Sequence, residues 1–297
     1  MIKNENISDT EIRVIGMDKP KREPDKKRKW LMIAFAIIAL AIVVLSVVLA
    51  VVRSRNQEAI TASEPSVYEP IVICEQPHPL REWLVSLDTI QTCGTALHEI
   101  TINDIPLTVY VPLGSTPRLG VGKATIKHPE DFILFFQAAD VRADNKKIVG
   151  AFVLQGEPLS RGLSKRGYCA IIGDEVRVGV ADNSPLFEQA TELNGYFFRQ
   201  YPLVDNGKLV ENEPKNKSIR RALAEIDGKI AVVESQSPES FHDFAQALVD
   251  LGAQHAIYLV GGAALCGYTD LEGQTAVFGF QECKPFKNTN FIVWPKH

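Results

Sequence analysis

Little in this chain announces a metal or redox centre. The five cysteines (Cys74, Cys93, Cys169, Cys266 and Cys283) include no C-x-x-C pair, and no cysteine–histidine spacing fits a zinc site. The six histidines stand singly, with no H-E-x-x-H and no i, i+4 pair, which excludes a helix-borne metalloprotease centre. Ser164-Lys165-Arg166 lacks the S-x-x-K pattern of penicillin-binding enzymes and reads as a solvated turn. No internal repeat or low-complexity block appears, which excludes a repeat architecture. Net charge is −4 and no basic stripe lies beyond residue 29, so nucleic acid is not an expected partner. The cofactor is left unknown.

What the chain does have is one long apolar run. Trp30 to Val52 is 23 residues without a charge, and Ser46 is its one polar member. At about 1.5 Å per residue, a helix of that length spans a hydrocarbon core of roughly 30 Å. Lys19, Lys21, Arg22, Lys26, Lys27, Arg28 and Lys29 precede it and outweigh Arg53 and Arg55 behind it. Basic flanks stay cytoplasmic, so the sequence predicts a single-pass, N-in protein of the inner (cytoplasmic) membrane with a periplasmic or extracellular C-terminal domain. A cleaved signal peptide would carry a shorter apolar stretch and a small-residue cleavage site, whereas VVRSRNQ follows here. The lipid bilayer is therefore an expected partner through Trp30–Val52, with the basic cluster meeting anionic head groups. Thiols outside the cytoplasm can oxidise. Cys74 with Cys93 and Cys266 with Cys283 are open pairings, and the odd count leaves at least one thiol free or joined to another chain.

The expected organisation is a basic tail (1–29), a transmembrane helix (30–52), a polar linker (53–70) and one domain (71–297). Short runs rich in Val, Ile, Leu and aromatics read as strands: Tyr68–Cys74, His98–Val111, Phe132–Gln137, Lys147–Leu154, Tyr168–Ile172, Glu175–Val180, Lys229–Glu234, Ala256–Val260 and Thr275–Phe280. Tight turns are expected at Ile172–Glu175 and Asp205–Lys208. Ser237-Pro238-Glu239-Ser240 reads as a helix start with Ser237 as N-cap, followed by Phe241, Phe244, Ala245, Leu248 and Leu251 at helical spacing, with Gly252 as the stop. A second helix is expected over Pro185–Leu193. The fold class is α+β, a mixed, strand-rich sheet domain with few helices.

The segment Arg220 to Tyr268 reads as a strand, a crossover helix, a second strand and a glycine turn at Gly261-Gly262. Free N–H groups at such a turn can bind an anion, and Arg220 or Arg221 would suit a phosphate or carboxylate. Tyr196, Phe197, Phe198 and Tyr201 read as core packing, with a sugar-stacking platform as the functional alternative. Arg161, Lys165 and Arg166 cluster around Gly162, as a basic loop or as a source of positive potential.

The order and spacing of four segments resemble the phosphodiester glycosidase domain family. They are Phe132–Val141, Gly156–Gly162, the stretch Arg199-Gln200-Tyr201-Pro202-Leu203-Val204-Asp205-Asn206-Gly207-Lys208, and Arg220–Tyr268. The resemblance implies a domain that hydrolyses a glycosyl phosphodiester in envelope or exopolysaccharide glycans, or a catalytically degenerate carbohydrate- or protein-binding module of the envelope. It implies a glycan or glycosyl-phosphate ligand. Gln137, Arg220 and Asp140 are the implied catalytic residues, and Arg221, Gly261, Gly262 and Gln200 the implied substrate-binding ones. The family's last strand ends Leu-Asp-Gly-Gly-Gly-Ser, and here Val260 stands in the acid's place and Ala264 in the serine's. A glycosidase needs a carboxylate, so Asp140, Asp270 and Glu272 are the candidate replacements.

Overall fold

Alternating burial along short strands builds the described part of the chain into three sheets. The computed structural model describes residues 79–279 and 287–296. The basic tail, the apolar run, the linker, the strand expected at Tyr68–Cys74, and Cys74 and Cys283 lie outside the described residues. Among the described residues, no helix is long and apolar enough to cross a membrane.

In chain order the elements are α1 (Arg81–Ser86), β1 (Gly94–Ile102), β2 (Ile105–Leu113), β3 (Arg118–Val121), β4 (Phe132–Gln137), β5 (Ala151–Leu154), β6 (Glu157–Arg161), β7 (Gly167–Ile172) and β8 (Glu175–Val180). Then come α2 (Leu186–Glu192), β9 (Tyr196–Gln200), β10 (Pro202–Asp205), β11 (Lys208–Leu209), β12 (Arg221–Ile226), β13 (Lys229–Ser235), α3 (Phe241–Asp250), β14 (Ala253–Leu259), β15 (Cys266–Thr269), β16 (Thr275–Phe278) and β17 (Asn290–Pro295). The large sheet runs β1-β2-β13-β12-β14-β10-β11, and two smaller ones run β16-β15-β4-β17-β3 and β6-β5-β9-β7-β8.

Period two assigns the layers. On β12, Ala222, Ala224 and Ile226 face the helices, while Leu223 faces the smaller sheets. On β13, Ala231 and Val233 take the helix side and Val232 the other; on β14, Ala256 and Tyr258 oppose Ile257 and Leu259. The helix side is filled by Leu84 of α1 and by Phe241, Phe244, Ala245 and Leu248 of α3. The other side meets Leu134 and Phe136 of β4, Ile292 and Trp294 of β17, and Phe152, Cys169 and Phe198 from the third sheet. Burying each such Leu or Phe contributes roughly 2 kcal/mol, which explains why a sheet covered on both faces reads as an apolar run.

Several expectations change in detail. His98–Val111 is a hairpin rather than one strand, because Asn103 and Asp104 both take positive φ (52° and 62°) and turn the chain between β1 and β2. Lys147–Leu154 pairs as a strand only from Ala151. The strand–helix–strand reading of Arg220–Tyr268 omitted β12, which lies between β13 and β14 and is antiparallel to both. The sheets are consequently not mixed: every strand ladder among the described residues is antiparallel. The N-cap of α3 is Ser240, whose hydroxyl accepts from the Asp243 N–H at 3.0 Å, and not Ser237. Ser218 and Glu239 exchange backbone hydrogen bonds, which holds the stretch before the cap extended. Cys93, Cys169 and Cys266 are free thiols, Cys93 exposed and the other two buried.

Candidate active site

Strand ends from all three sheets converge at one place. Arg221, the first residue of β12, stands opposite Glu234 at the end of β13 and Leu259 at the end of β14. The next residue, Val260, donates its N–H to the carbonyl of Gln137 at the end of β4, at 3.1 Å. Gln200 ends β9, and the chain passes at Tyr201 into β10 of the large sheet. The Tyr201 carbonyl accepts from the Tyr258 N–H at 2.9 Å.

At this junction the structure sets a lysine inward. Lys165 was read as part of a solvated turn, yet its side chain is only 7% exposed. Its ammonium pairs with the Asp140 carboxylate, donates to Gln200 Oε1 at 2.6 Å, and lies 4.1 Å from the centre of the Tyr201 ring. Asp140 is the outer member of the pair, 32% exposed, and its second oxygen has no partner among the described residues. Burial pulls the Lys165 ammonium below the ordinary lysine value of 10.5, against the opposing influence of Asp140. Burial, then the Asp140 charge, raises the Tyr201 hydroxyl.

Two buried residues hold this arrangement from behind. Lys165 has a left-handed backbone (φ 71°), which costs a non-glycine residue roughly 1 kcal/mol. Its carbonyl is fixed by Arg199, whose guanidinium also donates to the carbonyls of Ala181 and Asp182, each bond at 3.0 Å. Asn290, on β17, fixes Ala139 beside Asp140. Arg161 and Arg166 take no part: Arg161 lies over the Phe187 ring, and Arg166 faces the exposed Asp182.

The two arginines singled out from sequence are buried and largely spent. Arg220 donates through Nε to the Glu239 carbonyl at 2.9 Å and through Nη2 to the Asn216 carbonyl. Its guanidinium stacks 4.1 Å from the Phe241 ring centre and 5.9 Å from that of Tyr258. Arg221 is ion-paired with Glu234, and its Nη1 donates to the carbonyls of Ala264 (2.9 Å) and Val260 (3.3 Å). The glycine turn also differs from expectation, because neither amide is free. Gly261 N–H donates to the Tyr258 hydroxyl at 3.0 Å, and Gly262 N–H to the Ile219 carbonyl at 3.0 Å. Glycine is needed at 261 because a Cβ there would stand 2.2 Å from the Ile219 carbonyl oxygen.

The structure thus gathers Asp140, Gln200, Gln137 and Arg221 around one junction, with Arg220 reaching it through an aromatic chain. Tyr201 meets Phe241 edge-on at 5.4 Å, and Phe241 meets Tyr258 at 4.9 Å. Phe197 and Phe198 are core residues. Asp270 does not join the junction: it caps the turn between β15 and β16 by accepting from the Gln274 N–H, at the far end of its sheet. Glu272 lies in the same turn. Cavities of about 680 and 420 Å³ lie elsewhere; Tyr196 lines the smaller one, and none of Gln137, Asp140, Gln200, Arg220, Arg221, Gly261 and Gly262 lines either. The sequence marked Lys165 only as one of a basic cluster with Arg161 and Arg166, with nothing local to say that it points inward.

The fold is shared with a solved enzyme domain. The catalytic domain of zebrafish N-acetylglucosamine-1-phosphodiester alpha-N-acetylglucosaminidase, auto-inhibited by its pro-peptide, superposes with a TM-score of 0.51 at 13% identity, over 69% of this chain and 83% of that one. A hypothetical protein from Synechocystis is matched at a TM-score of 0.47 and 14% identity, over 68% of this chain and 62% of that one. No family model and no curated protein matches the sequence. At 13% identity the likeness to the zebrafish catalytic domain is one of fold, and a distant one.

Proposed function

We propose that the domain hydrolyses a glycosyl phosphodiester bond in envelope or exopolysaccharide glycans, with Asp140 as its working carboxylate. The observation that carries this reading is the position of Asp140. It is half-exposed, tied on one side to the buried Lys165 ammonium, and set where the ends of three sheets meet. Cleavage of a sugar–phosphate bond expels a phosphate that leaves without needing a proton, so one carboxylate and a local positive charge meet its chemical needs. The shared fold with a phosphodiester glycosidase catalytic domain supports the reaction class. Gln137 is proposed to face the sugar or phosphate, Arg220 to stiffen the aromatic wall, and Gln200, fully buried with its amide committed to Lys165, Tyr201 and Ala138, to position Lys165. The test is turnover of a panel of N-acetylglucosamine-1-phosphodiesters and other glycosyl phosphodiesters by the full chain, beside Asp140→Asn. Turnover lost in the variant supports the reading, and a folded wild type silent across the panel removes it.

A second reading, a binding module of the envelope, has its own support. Both arginines and both glycine amides are committed internally, which leaves little vacant polarity for transition-state work.

Location is proposed on sequence grounds: Trp30–Val52 spans the inner membrane and the domain lies outside the cytoplasm. Cys93, a free exposed thiol, offers the test. A membrane-impermeant maleimide should label Cys93 in intact cells, judged against Cys93→Ser. Labelling only after lysis would place the domain inside.

A further inference from the structure

We propose that Lys165 is the anion anchor of this site, and that a substrate phosphate displaces Asp140 from it and so releases Asp140 to act as a base. The exchange follows from which partner is covered. Lys165 is 7% exposed and held by Gln200, the Tyr201 ring and the Arg199-clamped backbone, so it stays where it is. Asp140 is 32% exposed and needs only to turn toward solvent. A buried ammonium is poorly solvated and demands an anion, and at rest the chain supplies its own. Neither arginine offers an equivalent, since Arg221 already has Glu234 and Arg220 is spent on backbone carbonyls and aromatic faces.

The reaction step rests on the hydrolase reading above. The oxygen of a water molecule bonds to the anomeric carbon, and the bond from that carbon to the phosphate oxygen breaks. The electron pair leaves with the phosphate toward Lys165, and the water proton passes to the freed Asp140 carboxylate. The products are the free sugar and a phosphomonoester. The anion-exchange part needs no turnover and also holds for a binding module.

The test separates the two. Binding of inorganic phosphate and of glucose-1-phosphate to the full chain in detergent is measured by calorimetry for wild type, Lys165→Met, Lys165→Arg and Asp140→Asn, with folding checked by circular dichroism. Lys165→Met should weaken binding by roughly tenfold or more, as loss of a charge-assisted contact does, and Lys165→Arg should retain part of it. Asp140→Asn should bind several-fold more tightly, because the competing anion is gone, while any hydrolysis it supported disappears. If Lys165→Met does not fold, the Asp140→Asn measurement decides alone. Weaker phosphate binding in Asp140→Asn, or no binding to wild type at millimolar phosphate, overturns the proposal. The expected binding pattern with no turnover on any phosphodiester would overturn the hydrolase reading and leave the anchor standing.

Discussion

Asn290 grips Ala139 from both sides: its Oδ1 accepts from the Ala139 N–H at 2.7 Å, and its Nδ2 donates to the Ala139 carbonyl at 3.1 Å. The residue is fully buried, so the pairing stands in for a strand contact where β4 has already ended. Asp140 inherits its position from it. Asn290→Ala should lose roughly 2–3 kcal/mol in urea unfolding, because a buried N–H and carbonyl are left unsatisfied. It should also weaken any activity that depends on Asp140. A loss within experimental error of zero would show that the loop has another support.

Arg221 and Glu234 form the other buried ion pair, with side chains 4% and 15% exposed. Removing one partner strands the other. Glu234→Ala should therefore cost about 3–5 kcal/mol, whereas an apolar pair, Arg221→Met with Glu234→Leu, should recover much of it. Equal losses in the single and double variants would mean that the carbonyl bonds of Arg221, rather than the pair, are what matters.

Lys165 gives stability a definable pH dependence. Its folded pKa lies below the ordinary 10.5. Between the two values the unfolded chain holds a proton that the folded chain has released, so raising the pH favours the fold. Below that window both states are protonated and the burial penalty is present in full. The stability of wild type relative to Lys165→Met should thus improve as pH climbs toward 10.5. Tyr201, whose raised hydroxyl lies against Lys165, is removed from the comparison by making it in a Tyr201→Phe background. A flat difference would show that the ammonium is better solvated than its burial implies.

Ser240, not Ser237, should carry the cap of α3. Ser240→Ala should destabilise by about 1 kcal/mol, since its hydroxyl satisfies the Asp243 N–H. Ser237 bonds the Glu239 side chain outside the helix, so its replacement should leave stability within about 0.5 kcal/mol of wild type. Reversed magnitudes would restore the earlier helix start.

Much of the sheet framework was legible because it is a local pattern. β4 and β8 appear at the residues where apolar runs placed them, and α3 follows its periodic Phe and Leu residues. β3 and β15 were not legible: four-residue strands such as Arg118–Val121 carry too little alternation to stand out from a loop. The site was legible in residue type more than in duty. Arg220 and Arg221 could be picked as cations, but the carbonyls of Glu239 and Ala264 that occupy them lie 19 and 43 residues away in the chain. Lys165 could be grouped with Arg161 and Arg166 as a basic loop or a source of positive potential, but its inward position was hidden for the same reason. Gln200, Tyr201 and Arg199 lie more than thirty residues on, and only the folded chain brings them around it.

β17 enters its sheet between β3 and β4, two strands made more than 150 residues earlier. Until residues 290–295 exist, β3 and β4 have no common neighbour and Ala139 has no Asn290. The loop that carries Asp140 is therefore completed only once residues 290–295 pair with β4. A nick that freed these residues would leave the strands of the large sheet intact while the Asp140 loop lost its support.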